Sequence, residues 1–208
     1  MRINKIVCFG LGHIRRKNRG KEEPNFQEVL QHLAAFSIAE AVNSTQDSDA
    51  KKVGVVCQDP CYTTLDQILL KEEFSRTCHV PIESVQDSLH FVSDPEGFLA
   101  IDEHTLVITA FMPTTVPLMQ ICADLPRPAA FICDKMNLDH AKKVYDGVER
   151  STPRVRNMLK EYARGDFNDH VVEKQMFELC CGVAPYWLWK MDGFMRLKKA
   201  GEVAENTN

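Results

Sequence analysis

The residues of this 208-residue chain best placed to do chemistry are Gly10-Leu11-Gly12-His13, Asp59-Pro60, Phe111-Met112-Pro113 and Asp134. Each follows a short apolar run, and in an open parallel sheet ligands bind beyond the carboxyl ends of the strands. Glycines at 10 and 12 would let backbone N–H groups approach a ligand, while Asp59, after the second strand, would accept from a ribose-like hydroxyl. A plainer account uses the same residues: the glycines make a tight strand exit, and Asp59 ends a strand before Pro60. A dinucleotide fingerprint asks for a third glycine where this chain has Arg15, and for an acid about 20 residues on, whereas Asp59 comes much later. No carboxylate can be paired with His13 from sequence, so a surface-loop histidine stands beside an acid–base role.

Other candidates lie near the same edge. Arg15, Arg16, Lys17, Arg19 and Lys21 form a basic cluster without an intervening acid. It reads as a phosphate grip, a nuclear address or a solvated loop. Cys61 precedes a helix start, where the dipole lowers a thiol pKa, but no Cys-His-Asn or Gly-x-Ser-x-Gly pattern accompanies it. Tyr62, Phe111, Met112, Trp187 and Trp189 suit either a pocket floor or partner-binding patch, or ordinary core packing. Cys8, Cys57, Cys122 and Cys133 sit inside apolar runs and read as small buried hydrophobes of a reducing compartment. Cys57-x3-Cys61, Cys78-His79 and Cys180-Cys181 are not paired into half-sites, so no metal site is expected.

The elements that must position these residues alternate between strand and helix. Apolar runs at Lys5–Phe9, 53–57, 106–111 and 129–133, with a weaker one in 79–82 or Leu89–Val92, predict parallel strands. A helix between the first two carries Phe26, Val29, Leu30, Leu33, Ile38 and Val42 on its apolar face and opens at Asn25, with Glu28 as in a capping box. A second begins near Thr64, with Gln67 as reciprocal cap and Leu65, Ile68 and Leu69 inward, Glu72 and Glu73 outward. Pro95 and Gly97 bracket a short turn or helix. A crossover helix is expected over 114–125, with Pro117 in its first turn. Later, 154–164 reads as a helix ended by Gly165, 172–179 as another, and 186–191 as an added strand or cap.

Composition sets the class. Hydrophobic residues make up 44% and charged residues 26%, with 25 basic against 29 acidic side chains and a net charge of −4, so the chain is expected to be globular rather than a coat for nucleic acid. Arg2 and Lys5 before residues 6–11 mimic a signal peptide, but the run meets Arg15, Arg16 and Lys17 without a small-residue cleavage site. The longest apolar stretch, 106–113, is far short of the ~18 residues a membrane span needs. The expected fold is α/β: a single Rossmann-like domain over 1–208, an open, mostly parallel sheet of about five strands with helices on both faces. Its core covers about 3–136, a C-terminal helical or strand elaboration 137–197, and a polar tail 198–208.

The motifs, in order, resemble the Sensitivity-to-Red-Light-Reduced-like domain family, particularly its fungal members. They are Phe9-Gly10-Leu11-Gly12; Gln58-Asp59-Pro60-Cys61-Tyr62 with Asp66; the segment Pro95-Glu96-Gly97-Phe98-Leu99-Ala100-Ile101-Asp102; Thr105-Leu106-Val107; and Gln120-Ile121, Ala123-Asp124 and Arg127-Pro128-Ala129-Ala130. The resemblance covers about 5–135. It implies a Rossmann-like domain in regulatory physiology, namely light signalling and circadian timing or control of haem biosynthesis, and carries Gly10, Gly12, Asp59, Pro60 and Tyr62 as motif positions. Haem regulation usually invokes a Cys-Pro dipeptide, which this chain lacks.

The expected function is a regulator, not clearly an enzyme, that binds a nucleotide-like or anionic small molecule and passes its state to a protein partner. Its ligand-binding residues would be Gly10, Gly12, His13, Asp59, Pro60, Tyr62, Met112, Pro113 and Asp134. The alternatives are an S-adenosylmethionine-type transferase and a pure protein-interaction module. No cofactor is assigned, no membrane or nucleic acid partner is expected, and the location would be cytoplasmic or nuclear.

Overall fold

Lys5–Phe9 is buried at four of its five positions. A strand covered on both faces must read as a continuous apolar run. In the computed structural model, which describes residues 2–18, 20–46, 52–113, 115–136, 138, 151–167, 188 and 191–197, this strand is the middle one of the five parallel strands in a seven-stranded sheet. The elements run β1 (Lys5–Phe9), β2 (Arg15–Asn18), β3 (Lys21–Pro24), α1 (Phe26–Thr45), β4 (Gly54–Gln58), α2 (Thr64–Thr77) and a 3-10 helix (Ile82–Asp87). They continue with β5 (Leu89–Val92), α3 (Glu96–Leu99), β6 (Thr105–Thr109), α4 (Leu118–Cys122), β7 (Ala130–Asp134), α5 (Pro153–Leu159), β8 (Tyr162–Asp166) and β9 (Met191–Arg196).

The sheet order is β5-β4-β1-β6-β7-β9-β8. The first five strands are parallel, and β9 and β8 add antiparallel to the β7 edge. The α/β architecture is as the sequence predicts, with two strands more than the expected five. Chain order reverses between β1 and β6, which is the switch point where open α/β sheets leave a crevice. Cys8, Cys57, Cys122 and Cys133 are all buried, as expected of small apolar residues.

Several local expectations are corrected. The basic run is no loop: β2 and β3 form a hairpin whose register sets position 16 opposite 23 and position 17 opposite 22, and Arg15 pairs with Glu22 across it. Asn25 takes the cap position of α1 without a side-chain bond. The inward face of α1 is Gln31, His32, Ala35, Phe36 and Ala39, while Phe26 is exposed. Alanines let the helix approach the sheet closely, while Val29, Leu30, Ile38 and Val42 of the expected face pack against the same core partly buried. In α2 the box is Thr63 with Asp66, not Thr64 with Gln67, and Leu70 and Phe74 point inward while Leu65 and Ile68 face out. Among the described residues of the expected 114–125 helix, only Leu118–Cys122 is helical. The 154–164 helix is also two elements: α5 ends at Leu159, and Tyr162–Asp166 pairs with β9 as a strand. Gly165 therefore lies inside β8. The expected helix 172–179, Trp187, Trp189, Arg19, Cys180-Cys181 and the tail fall outside the described residues.

Candidate functional site

The exits of β1 and β4 meet in one polar cluster. Gly10 and Gly12 both have positive φ, +66° and +77°, in the region that glycine enters at least cost. Asp59, just past β4, accepts from the Gly12 N–H at 2.8 Å through one carboxylate oxygen and from the Cys61 N–H at 2.8 Å through the other. Its carboxylate thus ties the glycine turn to the following one. Neither glycine has room for a side chain: a Cβ on Gly10 would lie 2.4 Å from the Met112 sulfur, and one on Gly12 would lie 2.5 Å from Glu28 Cγ.

Behind this turn stands His32, 1% exposed on the inner face of α1. Its Nδ1 lies 2.6 Å from the Glu28 carbonyl, which only an N–H can satisfy, so the network assigns the proton to Nδ1 and leaves Nε2 to accept from the Tyr62 hydroxyl at 2.8 Å. Burial lowers its pKa to about 4 against the ordinary 6.5, and the nearby Glu28 carbonyl, Asp59 and Asp66 offset this only in part. Burial likewise raises the Tyr62 hydroxyl well above its usual range, with the Cys57 and Cys8 thiols adding to it. Tyr62 also meets Phe91 edge to face.

A second acid closes the cluster. Asp66, 1% exposed, accepts from the Thr63 N–H at 2.9 Å and the Thr63 hydroxyl at 2.6 Å, and its other oxygen faces Arg15 Nε at 3.6 Å. Arg15 also pairs with Glu22, so this member of the basic run is an internal clamp. Glu28 leaves Oε2 buried without a hydrogen bond beside Gly12.

The β6 and β7 exits differ. Met112 is buried with its sulfur over Gly10, and Asp134 accepts from the Phe111 N–H at 3.2 Å, where Phe111 itself has a φ of +51°. A cavity of about 20 Å³ remains among Thr109, Met112, Met119, Cys133, Asp134 and Met136, room for about one water. The Thr109 hydroxyl is buried there without a partner.

Of the nine expected site residues, Gly12, Asp59 and Tyr62 converge on the polar cluster, and Gly10 and Met112 touch at the switch point. Asp134 holds the Phe111 turn, Pro60 and Pro113 are exposed, and His13 is half-buried. Cys61 is exposed, and its thiol is pushed up by partial desolvation and then by Asp59, opposite to the helix-dipole expectation. Sequence reading missed His32, because a histidine on a helix carries no signal of what it will face. It also missed the roles of Glu28 and Gln58. Gln58 accepts from the Gly97 N–H at 2.7 Å, fastening the Pro95–Ile101 motif to the end of β4. A Cβ on Gly97 would fall 2.6 Å from that amide oxygen.

Among the described residues, no helix is long and apolar enough to cross a membrane. No curated protein and no solved structure matches the chain. The sequence model of the SRR1 domain matches residues 1–180, a span that includes every motif bound into the cluster above. The chain belongs to the SRR1 domain family.

Proposed function

We propose that this is a regulatory domain that takes a small anionic or nucleotide-like ligand at the exits of β1 and β4 and reports its presence to a protein partner. Membership of the SRR1 family supports a regulatory assignment. Light signalling, circadian timing or haem-biosynthesis control is the physiological setting that the resemblance implies. The observation that carries the ligand half is the left-handed Gly10–Gly12 turn at the switch point of the sheet, where crevices in this architecture take ligands. The transferase alternative needs an acid that holds a ribose, whereas both Asp59 oxygens already accept backbone N–H groups.

The test is a thermal-shift screen of the full chain against nucleotides, NAD(P)(H), S-adenosylmethionine, S-adenosylhomocysteine and haem, with Asp59→Ala in parallel. A ligand at 100 times its dissociation constant adds about 2.7 kcal/mol of stability. The expected result is a shift with one anionic or nucleotide class that Asp59→Ala loses relative to its own unliganded midpoint. A flat screen with both proteins folded overturns the ligand half. It would leave the interaction module, which the Met112 side chain filling the crevice over Gly10 favours.

A further inference from the structure

The α1 and α2 helices pack side by side, both starting at the carboxyl edge of the sheet. Between them lies a cavity of about 280 Å³, walled by Ile14, Val29, Leu33, Leu69 and Leu70, with His32 also lining it. Its remaining lining is Glu72, Glu73 and Arg76. The apolar surface continues past the cavity. Phe26 lies three and seven residues before Val29 and Leu33, on the same side of α1, and is 66% exposed. Leu65 lies four before Leu69, and Ile68 four before Glu72, and they are 43% and 49% exposed. Val29 and Leu69 pack partly buried against the core, but Phe26, Leu65 and Ile68 extend the apolar stripes of both helices beyond what the core covers, although such a stripe is what a helix normally turns inward.

Charge selects the occupant. Arg76 donates to Glu73 at 2.5 Å, which neutralises both, while Glu72 is exposed and has no ion-pair partner among the described residues. The cavity mouth is therefore net negative at its α2 side, with the exposed apolar residues toward the helix starts. Room for one large side chain and flanking apolar surface are the features of an anchor pocket in helix recognition.

We propose that the α1–α2 groove docks an amphipathic helix of a protein partner, which sets one large apolar side chain into the cavity and a Lys or Arg against Glu72. The proposal rests on the reading that the domain signals to a protein, and it supplies the surface. It does not depend on the strand-end ligand. His32 joins the two regions, since it lines the cavity and accepts from Tyr62 beside the Asp59 turn.

The experiment pans a library of helical peptides against the full chain and measures the selected peptides by fluorescence anisotropy. Binding is compared for wild type, Ile68→Asp, Leu65→Asp and Glu72→Lys, all changed at exposed positions so that folding, checked by circular dichroism, is retained. The expected peptides carry apolar residues at i, i+3 or i+4 and i+7 flanked by a basic residue. Ile68→Asp should weaken them at least tenfold, and Glu72→Lys several-fold. Replacing the peptide's basic residue by Glu should restore binding to Glu72→Lys but not to wild type. Selected peptides lacking this pattern, equal binding to Ile68→Asp, or no binding peptide at all overturns the proposal. So does concentration-dependent self-association in sedimentation that Ile68→Asp abolishes, which would make a second copy the occupant. The nucleotide screen reads a different site, so failure there and failure here are separable.

Discussion

The two strand exits flanking the switch point are built on opposite principles. At β1 and β4 the chain is held by charge and hydrogen bonds: Asp59 on the Gly12 and Cys61 N–H groups, Asp66 on Thr63 and Arg15, His32 between Glu28 and Tyr62. At β6 and β7 it is held mainly by packing, with Met112, Met119 and Met136 around a single water-sized void. A hydrogen-bonded exit tolerates few geometries, because a shift would strip further buried polar atoms of partners where Glu28 Oε2 already has none. A methionine-packed exit has many nearly equivalent arrangements, since the thioether side chain adapts to irregular space. The first suits the recognition of a defined ligand, the second an adaptable wall.

The largest effect should come from the polar exit. Asp66→Ala removes the reciprocal half of the α2 capping box, the charged acceptor of two Thr63 hydrogen bonds, so a loss of about 3–5 kcal/mol in urea unfolding is expected. Met112→Leu at the packed exit should cost under about 1.5 kcal/mol, because it conserves volume and chemistry. Equal losses would erase the contrast between the exits.

A slightly smaller effect follows from His32. Its pKa is about 4 in the fold against 6.5 ordinarily, so the unfolded chain takes up a proton first as pH falls. This contribution to stability is complete above pH 6.5, declines between 6.5 and 4, and is constant below; the span is about 3 kcal/mol. Urea midpoints taken through that window should show the slope in wild type and a shallower one in His32→Phe.

The finest test is a double-mutant cycle. Gly10→Ala meets the Met112 sulfur and carries a positive-φ penalty, so Met112→Ala should relieve part of its cost, with a coupling of about 1 kcal/mol. Gly12→Ala clashes instead with Glu28 and should show no coupling to Met112→Ala. Coupling at both glycines would mean that the two exits behave as one unit.

The same contrast sorts what was legible in the sequence. Lys5–Phe9 was readable to the residue because a strand buried on both faces leaves an uninterrupted apolar signature. The span of α1 was readable, and so was part of its inward side, at Val29, Leu30, Ile38 and Val42, but its fully buried face was not. Helical periodicity counts aliphatic residues, and it cannot see that Ala35 and Ala39 allow close approach or that Gln31 and His32 lie on that buried face. The β8 strand was read as helix because Tyr162-Ala-Arg-Gly-Asp166 has no alternation, and its identity comes from pairing with a strand about 30 residues later. Within the site, Gly10, Gly12 and Asp59 follow from the rule about strand ends. The Asp59–Gly12 bond and the His32–Tyr62 bond join residues 47 and 30 apart, and nothing local announces such pairings.

The edge built by β9 and β8 has a consequence for how the chain is made. Residues up to Asp134 supply all five parallel strands, yet the β7 edge is not covered until Met191–Arg196 has left the ribosome. At about 5–20 residues per second, a gap of about 60 residues leaves that apolar edge open for roughly 3 to 12 seconds of synthesis. An open, flat strand edge invites pairing with other nascent chains. When β9 arrives, Asp192 accepts from the Met136 N–H and pairs with Arg164 at 2.7 Å, so the late strand is locked on both sides as it docks. The new outer strand, β8, then presents the half-exposed Arg164 instead of bare aliphatic residues, a charge that discourages further growth of the sheet.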